Sequence, residues 1–410
     1  MVGGAIRSTL IQMHQVSTPT GSEEGGFPVR GYPPPRMNPR LRKTIEILPG
    51  LIAAIAVMLV ADEAAHRVGA VVLRLQGIDP AGRASPISGI SMAIVLGLVI
   101  ANVVRLPAAL RPGLAFAVRR MLRLGIILAG IRLSVFDVLK LGAWGIPVVA
   151  VIVVVALVAA HALARAIGVS DNLGTLAAAS TAICGVTAAL SVGPVIEADE
   201  SEIAYTVANV TLFGLVAMLA YPYLAHGLFG AHSASVGLFL GTGIHDTSQV
   251  MGAALSYKEL FRDEAAFRVA TVTKLTRNVF LVAVVPLLAY LHVRRTGHAG
   301  RRVNVAKLFP VFVLGFLAMA IVRSVGEAGL SAHGLAFGAL DAARWGSLVK
   351  ALGETGSTAA LATAMAGVGL STNLRAFGRM GWRPLYVGGL AAVLVAGLSL
   401  ALAALVGPRL

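Results

Sequence analysis

Cysteine and charge are the two features that this sequence lacks most clearly. Cys184 is the one cysteine among 410 residues, which excludes a disulfide within the chain. Charged residues make up 13% of the sequence, against about 25% in soluble domains, and the mean hydropathy is +0.82. This composition excludes an ordinary soluble domain and predicts an all-α polytopic membrane protein. We interpret Cys184, which lies within an apolar run, as a small packing residue.

Several chemical motifs are also missing. No glycine-rich loop ending in lysine is present, so we expect no direct use of ATP. No spacing of His, Cys and Asp suggests a metal site, and nothing selects a catalytic triad, so we expect neither a cofactor nor an enzyme. The first residues lack the apolar core of a signal peptide. We predict a flexible cytoplasmic tail over 1–46 and a transmembrane transporter domain over 47–410.

Long apolar runs fill the rest of the chain. A helix needs about 20 mostly apolar residues to cross a bilayer, and on this criterion the sequence predicts about 11 transmembrane helices. They lie near 47–61, 86–104, 114–135, 141–163, 173–195, 203–226, 235–256, 266–292, 308–323, 347–371 and 385–407. The first and the ninth of these runs are short for a span.

The excess of 34 basic over 19 acidic residues follows the connecting segments. With the N-terminus in the cytoplasm, Arg105, Arg111 and the basic run 294–307 fall on cytoplasmic loops. Asp62 and the acidic segment 197–202 then fall on outer loops. Because Lys and Arg favour cytoplasmic loops, we interpret the positive charge as a topology signal and expect no nucleic-acid partner.

An internal similarity links two glycine-containing segments. The stretches 174-GTLAAASTAICGV-186 and 356-GSTAALATAMAGV-368 share seven of thirteen residues at an offset of 182. At this offset spans two to six correspond to spans seven to eleven. Because each unit has an odd number of spans, the second unit lies in the membrane upside down relative to the first. We therefore predict one extra N-terminal helix followed by two inverted five-helix repeats, about 86–226 and 235–407. Such repeats are typical of transporters with broken core helices.

The two similar segments predict a binding site at the middle of the membrane. An unwound stretch survives there only beside protein or a wet cavity, and the half-helix that follows it carries a partial positive charge that suits an anion. Close packing of helices through small residues is the alternative. Asn209 of span six could equally bond to a neighbouring helix. The predicted substrate-binding residues are Ser180, Thr181, Gly185, Thr187, Asn209, Thr363, Gly367 and Gly369.

Ionisable residues within predicted spans form a second group. His245 and Asp246 lie in span seven, and Lys274 and Arg277 lie about one turn apart in span eight. We predict that Asp246 pairs with one of the two cations and that the group supplies charge balance or proton coupling. An ion pair that only joins the two spans is the alternative. Arg132, at the outer end of span three, is a candidate to line the path.

The ordered motifs of 180–214, 241–254, 270–278 and 361–385 resemble the YeiH family of bacterial inner-membrane proteins, which are generally labelled sulfate exporters. The resemblance extends from about residue 47 to the C-terminus. It implies a fold similar to that of sodium/proton antiporters and bile-acid symporters, with a panel domain and a core of two crossed broken helices. The paired core acids of the antiporters are missing here, which argues against sodium/proton exchange.

These observations predict a secondary transporter of a small inorganic or organic anion, with sulfate export as one candidate, working by alternating access in the bacterial inner membrane. Proton or sodium coupling and a homodimer remain open, and the lipid bilayer is the other expected partner. One alternative is a cation-coupled antiporter or symporter of an organic solute that uses Asp246. The other is a membrane sensor or assembly protein that transports nothing.

Overall fold

Helices form nearly all of the regular structure in the residues described by the computed structural model, where the one exception is an isolated bridge between Ala336 and Leu340. The described residues are 39–75, 79–80, 85, 87–230, 232–297, 304, 308–374 and 382–410. The unit that begins at Lys43 carries all the features below except the first turn of α1. Within these residues the all-α prediction is confirmed.

The helices follow one another through short connections. We number them α1 Pro39–Leu75, α2 Gly89–Val103, α3 over 108–132, α4 Val135–Ile167, α5a Asp171–Ala182, α5b Val186–Val192, α6 Glu200–Phe229, α7a Ser233–Gly243, α7b Thr247–Phe261, α8 Glu264–Thr296, α9 Phe312–His333, α10 over 342–371 and α11 Trp382–Val406. Helices α3 and α10 each contain a wider π-type turn, at Ala117–Met121 and Ala351–Gly356. Both continue as helix on either side of that turn.

Six of these helices are long and apolar enough to cross a membrane: α1, α4, α6, α8, α9 and α11. The two runs that look short in the sequence belong to longer helices, since α1 has 37 residues and α9 has 22. The other predicted spans fall on helices that are short, broken or more polar, so the count of about 11 stays a prediction. Helix α1 begins at Pro39, inside the predicted tail, and residues 1–38 lie outside the described residues.

The two broken helices lie in the core. Every residue of α7a from Ser235 to Gly243 is buried, and α5a is buried from Ala177 to Ala182. Helix α7a packs against the first part of α8 and against α11, while α5a packs against α4. Apolar side chains face outward on the long helices, as expected of a surface that meets lipid.

The predicted break in α10 is wrong. Helix Ser357–Ser371 runs without interruption through Thr363, Gly367 and Gly369. Alanine and methionine, which favour helices, fill much of this segment. A close packing seam explains its glycines: a Cβ on Gly369 would lie 3.1 Å from Gly97 Cα on α2. The sequence similarity to α5 therefore records a shared small-residue pattern without a shared break.

Candidate functional site

Two helix breaks of equal length meet beside α8. Helix α5 is interrupted at 183–185 and helix α7 at 244–246. Thr181 and Ile183 at the start of the first break match Thr242 and Ile244 at the start of the second, at an offset of 61. Gly185 has φ +65° and ψ −119°, a conformation that glycine adopts most readily. The second discontinuous helix is thus α7, and α10 has no part in the crossing.

Lys274 of α8 joins the two breaks. Its ammonium group is fully buried and donates to the carbonyl oxygens of Ile183 at 3.2 Å and Ile244 at 3.1 Å. It also donates to the carbonyl of His245. The last carbonyls of a helix have no partner within that helix. The lysine therefore satisfies backbone groups that hydrocarbon would leave unpaired.

Arg277, one turn further along α8, makes the same kind of connection. Its guanidinium donates to Ala182 O at 2.6 Å and to Thr242 O at 2.6 Å. It donates as well to the carbonyls of Thr181 and, at 3.3 Å, of Ile244. Both cations thus bond to the C-terminal ends of α5a and α7a at once, and α8 holds the two half-helices together.

Asp246 occupies the N-terminal end of α7b. Its carboxylate accepts from the backbone N–H of Ser248 at 2.9 Å and from the Ser248 hydroxyl, while Gln249 Oε1 accepts from the Asp246 N–H at 3.3 Å. In the described part of the chain it forms no salt bridge with Lys274 or Arg277, so the predicted direct pair is wrong. A carboxylate at a helix N-terminus and cations at C-termini are each favourable, and the charges separate along the helices for that reason.

The charges at the crossing do not cancel. Each half-helix end carries about half an elementary charge, so two C-terminal and two N-terminal ends sum to about zero. Lys274 and Arg277 add two positive charges and Asp246 adds one negative charge. With His245 neutral, the crossing carries about one uncompensated positive charge, which is costly in a buried place unless an anion accompanies it.

The remaining predicted residues of this region differ in exposure. Ser180, Thr181 and His245 are buried, and the Ser180 hydroxyl and His245 Nδ1 have no hydrogen-bond partner within the described residues. Thr187 is exposed and Asp246 is half-buried, so polar side chains where α5b and α7b begin are only partly covered by the described residues. Polar atoms thus lie both in the buried and in the partly covered part of the crossing.

Asn209 of α6 is buried next to the crossing. Its side chain packs against Gly388 of α11, where a Cβ would lie 2.7 Å from Asn209 Cγ. The neighbouring Val210 faces Gly185, at 2.8 Å from the position of an added Cβ. Asn209 therefore lies at a contact between helices beside the first break.

Thr363, Gly367 and Arg132 lie apart from this crossing. The Thr363 hydroxyl donates to Ala359 O at 2.8 Å within its own helix, and Gly367 packs against α3. Arg132 is buried, and its Nη1 donates to both carboxylate oxygens of Glu264, at 3.0 and 3.1 Å. Its guanidinium also donates to the Gly353 carbonyl. The arginine thus ties together α3, α8 and α10.

Sequence reasoning missed the part that Thr242, Thr247 and Asn278 play. Thr242 supplies a carbonyl to Arg277, and the Thr247 hydroxyl lies 3.1 Å from Asn278 Nδ2. A sequence signal for the second break was present, because Thr-x-Ile occurs at the start of each break. Its offset of 61 is shorter than the offset of 182 between the predicted repeats.

Long apolar helices and buried charges at two helix breaks define a multi-pass membrane protein. The model of a family described as Conserved hypothetical protein 698 matches residues 51–388. The UPF0324 membrane protein TauZ of Paracoccus denitrificans is 36% identical over 288 residues, which cover 69% of this chain and 78% of that protein. A UPF0324 membrane protein of Nitratidesulfovibrio vulgaris is 31% identical over 294 residues, or 70% and 77% of the two chains.

The chain belongs to the family of UPF0324 membrane proteins. The resemblance to a YeiH-type family is thereby confirmed. The similarity in fold to sodium/proton antiporters and bile-acid symporters stays a prediction, as do the inverted repeats.

Proposed function

We propose that this protein is a secondary transporter that moves a small anion by alternating access, with its site at the crossing of α5 and α7. The observation that carries the proposal is the uncompensated positive charge of the Lys274, Arg277 and Asp246 group. A permanent ligand-free charge in this position is unfavourable. An anion that visits the crossing lowers that cost during part of the transport cycle.

The geometry supports a site that opens on one side at a time. The C-terminal ends of α5a and α7a are buried under the two cations, while Thr187 and Asp246 remain accessible. A small movement of α5, α7 and α8 together relative to the remaining helices would change which side of the crossing is accessible. We place the protein in the bacterial inner membrane with its N-terminus in the cytoplasm, on the basis of its basic loops.

Flux measurements in proteoliposomes test the proposal. The full chain is reconstituted, and uptake of labelled sulfate is followed with and without a pH gradient, with Lys140→Gln as a control for loss of an exposed lysine. Sulfate flux above that of empty vesicles, reduced by Lys274→Gln and unchanged by Lys140→Gln, supports the proposal. No flux above empty vesicles in either condition rejects sulfate as substrate, and a panel of other anions then tests the class.

A second candidate function rests on Asp246. It is the one carboxylate at the crossing within the described residues, and it is only half-buried. A cation-coupled antiporter or symporter could load a proton or sodium ion there. The anion proposal and this alternative differ in what neutralisation of Asp246 does to the ion dependence of transport.

A further inference from the structure

A cavity lies away from the crossing, where α2, α3 and α10 come together. Its volume is about 680 Å³, which is within the range of about 300–1,000 Å³ typical of small-molecule sites. Three arginines line it: Arg105 from the connection after α2, and Arg111 and Arg119 from α3. No acidic side chain lines it in the described part of the chain.

The three arginines share one property in the part of the chain that the structure describes. Among the described residues, none of Arg105, Arg111 and Arg119 makes a salt bridge or a side-chain hydrogen bond, and all three are exposed. Arg111 and Arg119 are eight residues apart, about 12 Å along a helix at 1.5 Å per residue. Three guanidinium groups without a partner among the described residues line one cavity, and together they offer several N–H donors to a single anion.

The wall of the cavity is held in place by Asn102. Its Nδ2 donates to Leu98 O at 2.8 Å and to Thr372 O at 2.9 Å, while its Oδ1 accepts from Leu374 N at 2.8 Å. The end of α2 is thereby fixed to the end of α10. The arginines consequently surround a preformed cavity.

Most of the other residues that line the cavity are apolar. Val104, Leu106, Leu110 and Leu114 contribute to it, and Val104 is 54% exposed. A cavity lined by both arginines and aliphatic side chains matches an anionic group attached to a hydrocarbon chain. Basic pockets between transmembrane helices bind the headgroups of acidic lipids for this reason.

We infer that this cavity binds a phosphate-class oxyanion through Arg105, Arg111 and Arg119, with the headgroup of an acidic phospholipid favoured over the free ion by the apolar wall. The inference is independent of the transport proposal, because binding is measured without flux. Planar guanidinium groups recognise phosphate oxygens with paired hydrogen bonds. Bound lipid would join the ends of α2, α3 and α10.

The test compares two pairs of arginines on the same helix. Arg111→Gln/Arg119→Gln removes two cavity-lining charges, and Arg120→Gln/Arg123→Gln removes two exposed charges from α3 that do not line the cavity. The lipid arm measures retention of phosphatidylglycerol or cardiolipin by native mass spectrometry. The free-ion arm measures binding of inorganic phosphate in uncharged detergent at low ionic strength, where charge interactions are least screened.

We expect the cavity pair to lose at least about ten-fold in lipid retention, or about 1.4 kcal/mol, and the control pair to lose less than about two-fold. Lipid binding without phosphate binding assigns the site to a headgroup, and binding in both arms assigns it to the oxyanion in general. Equal losses in the two pairs, or no binding in either arm, would overturn the inference. The single changes Arg119→Gln and Arg120→Gln repeat the comparison should a double variant fail to fold.

Discussion

Lys274 and Arg277, three residues apart on α8, both donate hydrogen bonds to the carbonyl oxygen of Ile244 and each also reaches a carbonyl of α5. Two adjacent cations of one helix therefore satisfy the broken ends of two others. Because Gly185 N–H donates to Ser180 O at 2.9 Å and Ile183 N–H to Ala179 O at 3.1 Å, the end of α5a is fully bonded. The three helices act as one structural unit.

Lys274→Gln is expected to lower the free energy of unfolding by about 2–4 kcal/mol, since hydrogen bonds to charged groups contribute about 1.5–3 kcal/mol each and Gln keeps only part of the bonding. Lys274→Arg retains the charge and is expected to lose less. Unfolding by sodium dodecyl sulfate in mixed micelles, followed by tryptophan fluorescence, measures both changes.

The control for Lys274 is Lys140→Gln, because Lys140 is exposed at the start of α4. Surface substitutions usually change stability by less than about 0.5 kcal/mol. Equal stability of the Lys274→Gln and Lys140→Gln proteins would contradict a role for Lys274 in holding the two breaks.

Asp246→Asn separates the two candidate functions. Asp and Asn are about equally good at a helix N-cap, whereas Ala costs about 1 kcal/mol there, so the Asn variant should fold. On the anion proposal the charge of the crossing rises from about +1 to about +2, and sulfate binds as tightly as before or more tightly. Loss of proton or sodium dependence with binding otherwise intact would favour the cation-coupled alternative.

Gly185→Ala tests the first break. The backbone of Gly185 has a positive φ, and a Cβ would lie 2.8 Å from Val210 Cγ1 and 3.2 Å from Asp246 Cα. Gly168 also has a positive φ, at +75°, but has open space around it. Strained backbone costs about 1–3 kcal/mol, so Gly168→Ala reports mainly that cost. A larger loss of thermal stability is expected for Gly185→Ala, and similar losses would show that the crossing is loosely packed.

Composition and periodicity predicted the all-α fold and the location of the helices well, because apolar runs of membrane length have few alternatives. The break at Gly185 was also predictable, since this glycine lies between Thr181 and Thr187 in a run of membrane length. The partner of that break was not. Helix α10 runs without interruption through Gly367, and among the described contacts no lysine or arginine of another helix bonds to the backbone carbonyls around this glycine.

The charged residues also show how far the site can be predicted from the sequence. Sequence placed Asp246, Lys274 and Arg277 together correctly, but it suggested an ion pair. In the structure each charge instead meets the helix end of opposite sign. Side-chain charges are visible in a sequence, whereas the partial charges of helix ends appear only where helices break. A break that is not predicted therefore hides the partner of a buried charge.

Gly369→Ala tests whether the glycines of α10 serve packing. An added Cβ would lie 3.1 Å from Gly97 Cα and would contact Ile94 O on α2, so overpacking should cost about 1–3 kcal/mol. Gly346→Ala on the same helix meets open space and should be neutral or stabilising by up to about 1 kcal/mol, because Ala favours helix over Gly. Thermal unfolding in detergent measures both changes. Because Gly369 lies in a seam far from the breaks of α5 and α7, sulfate binding by the folded Gly369→Ala protein should be unchanged. If the Gly369→Ala protein stays stable but no longer binds sulfate, α10 contributes to the substrate site.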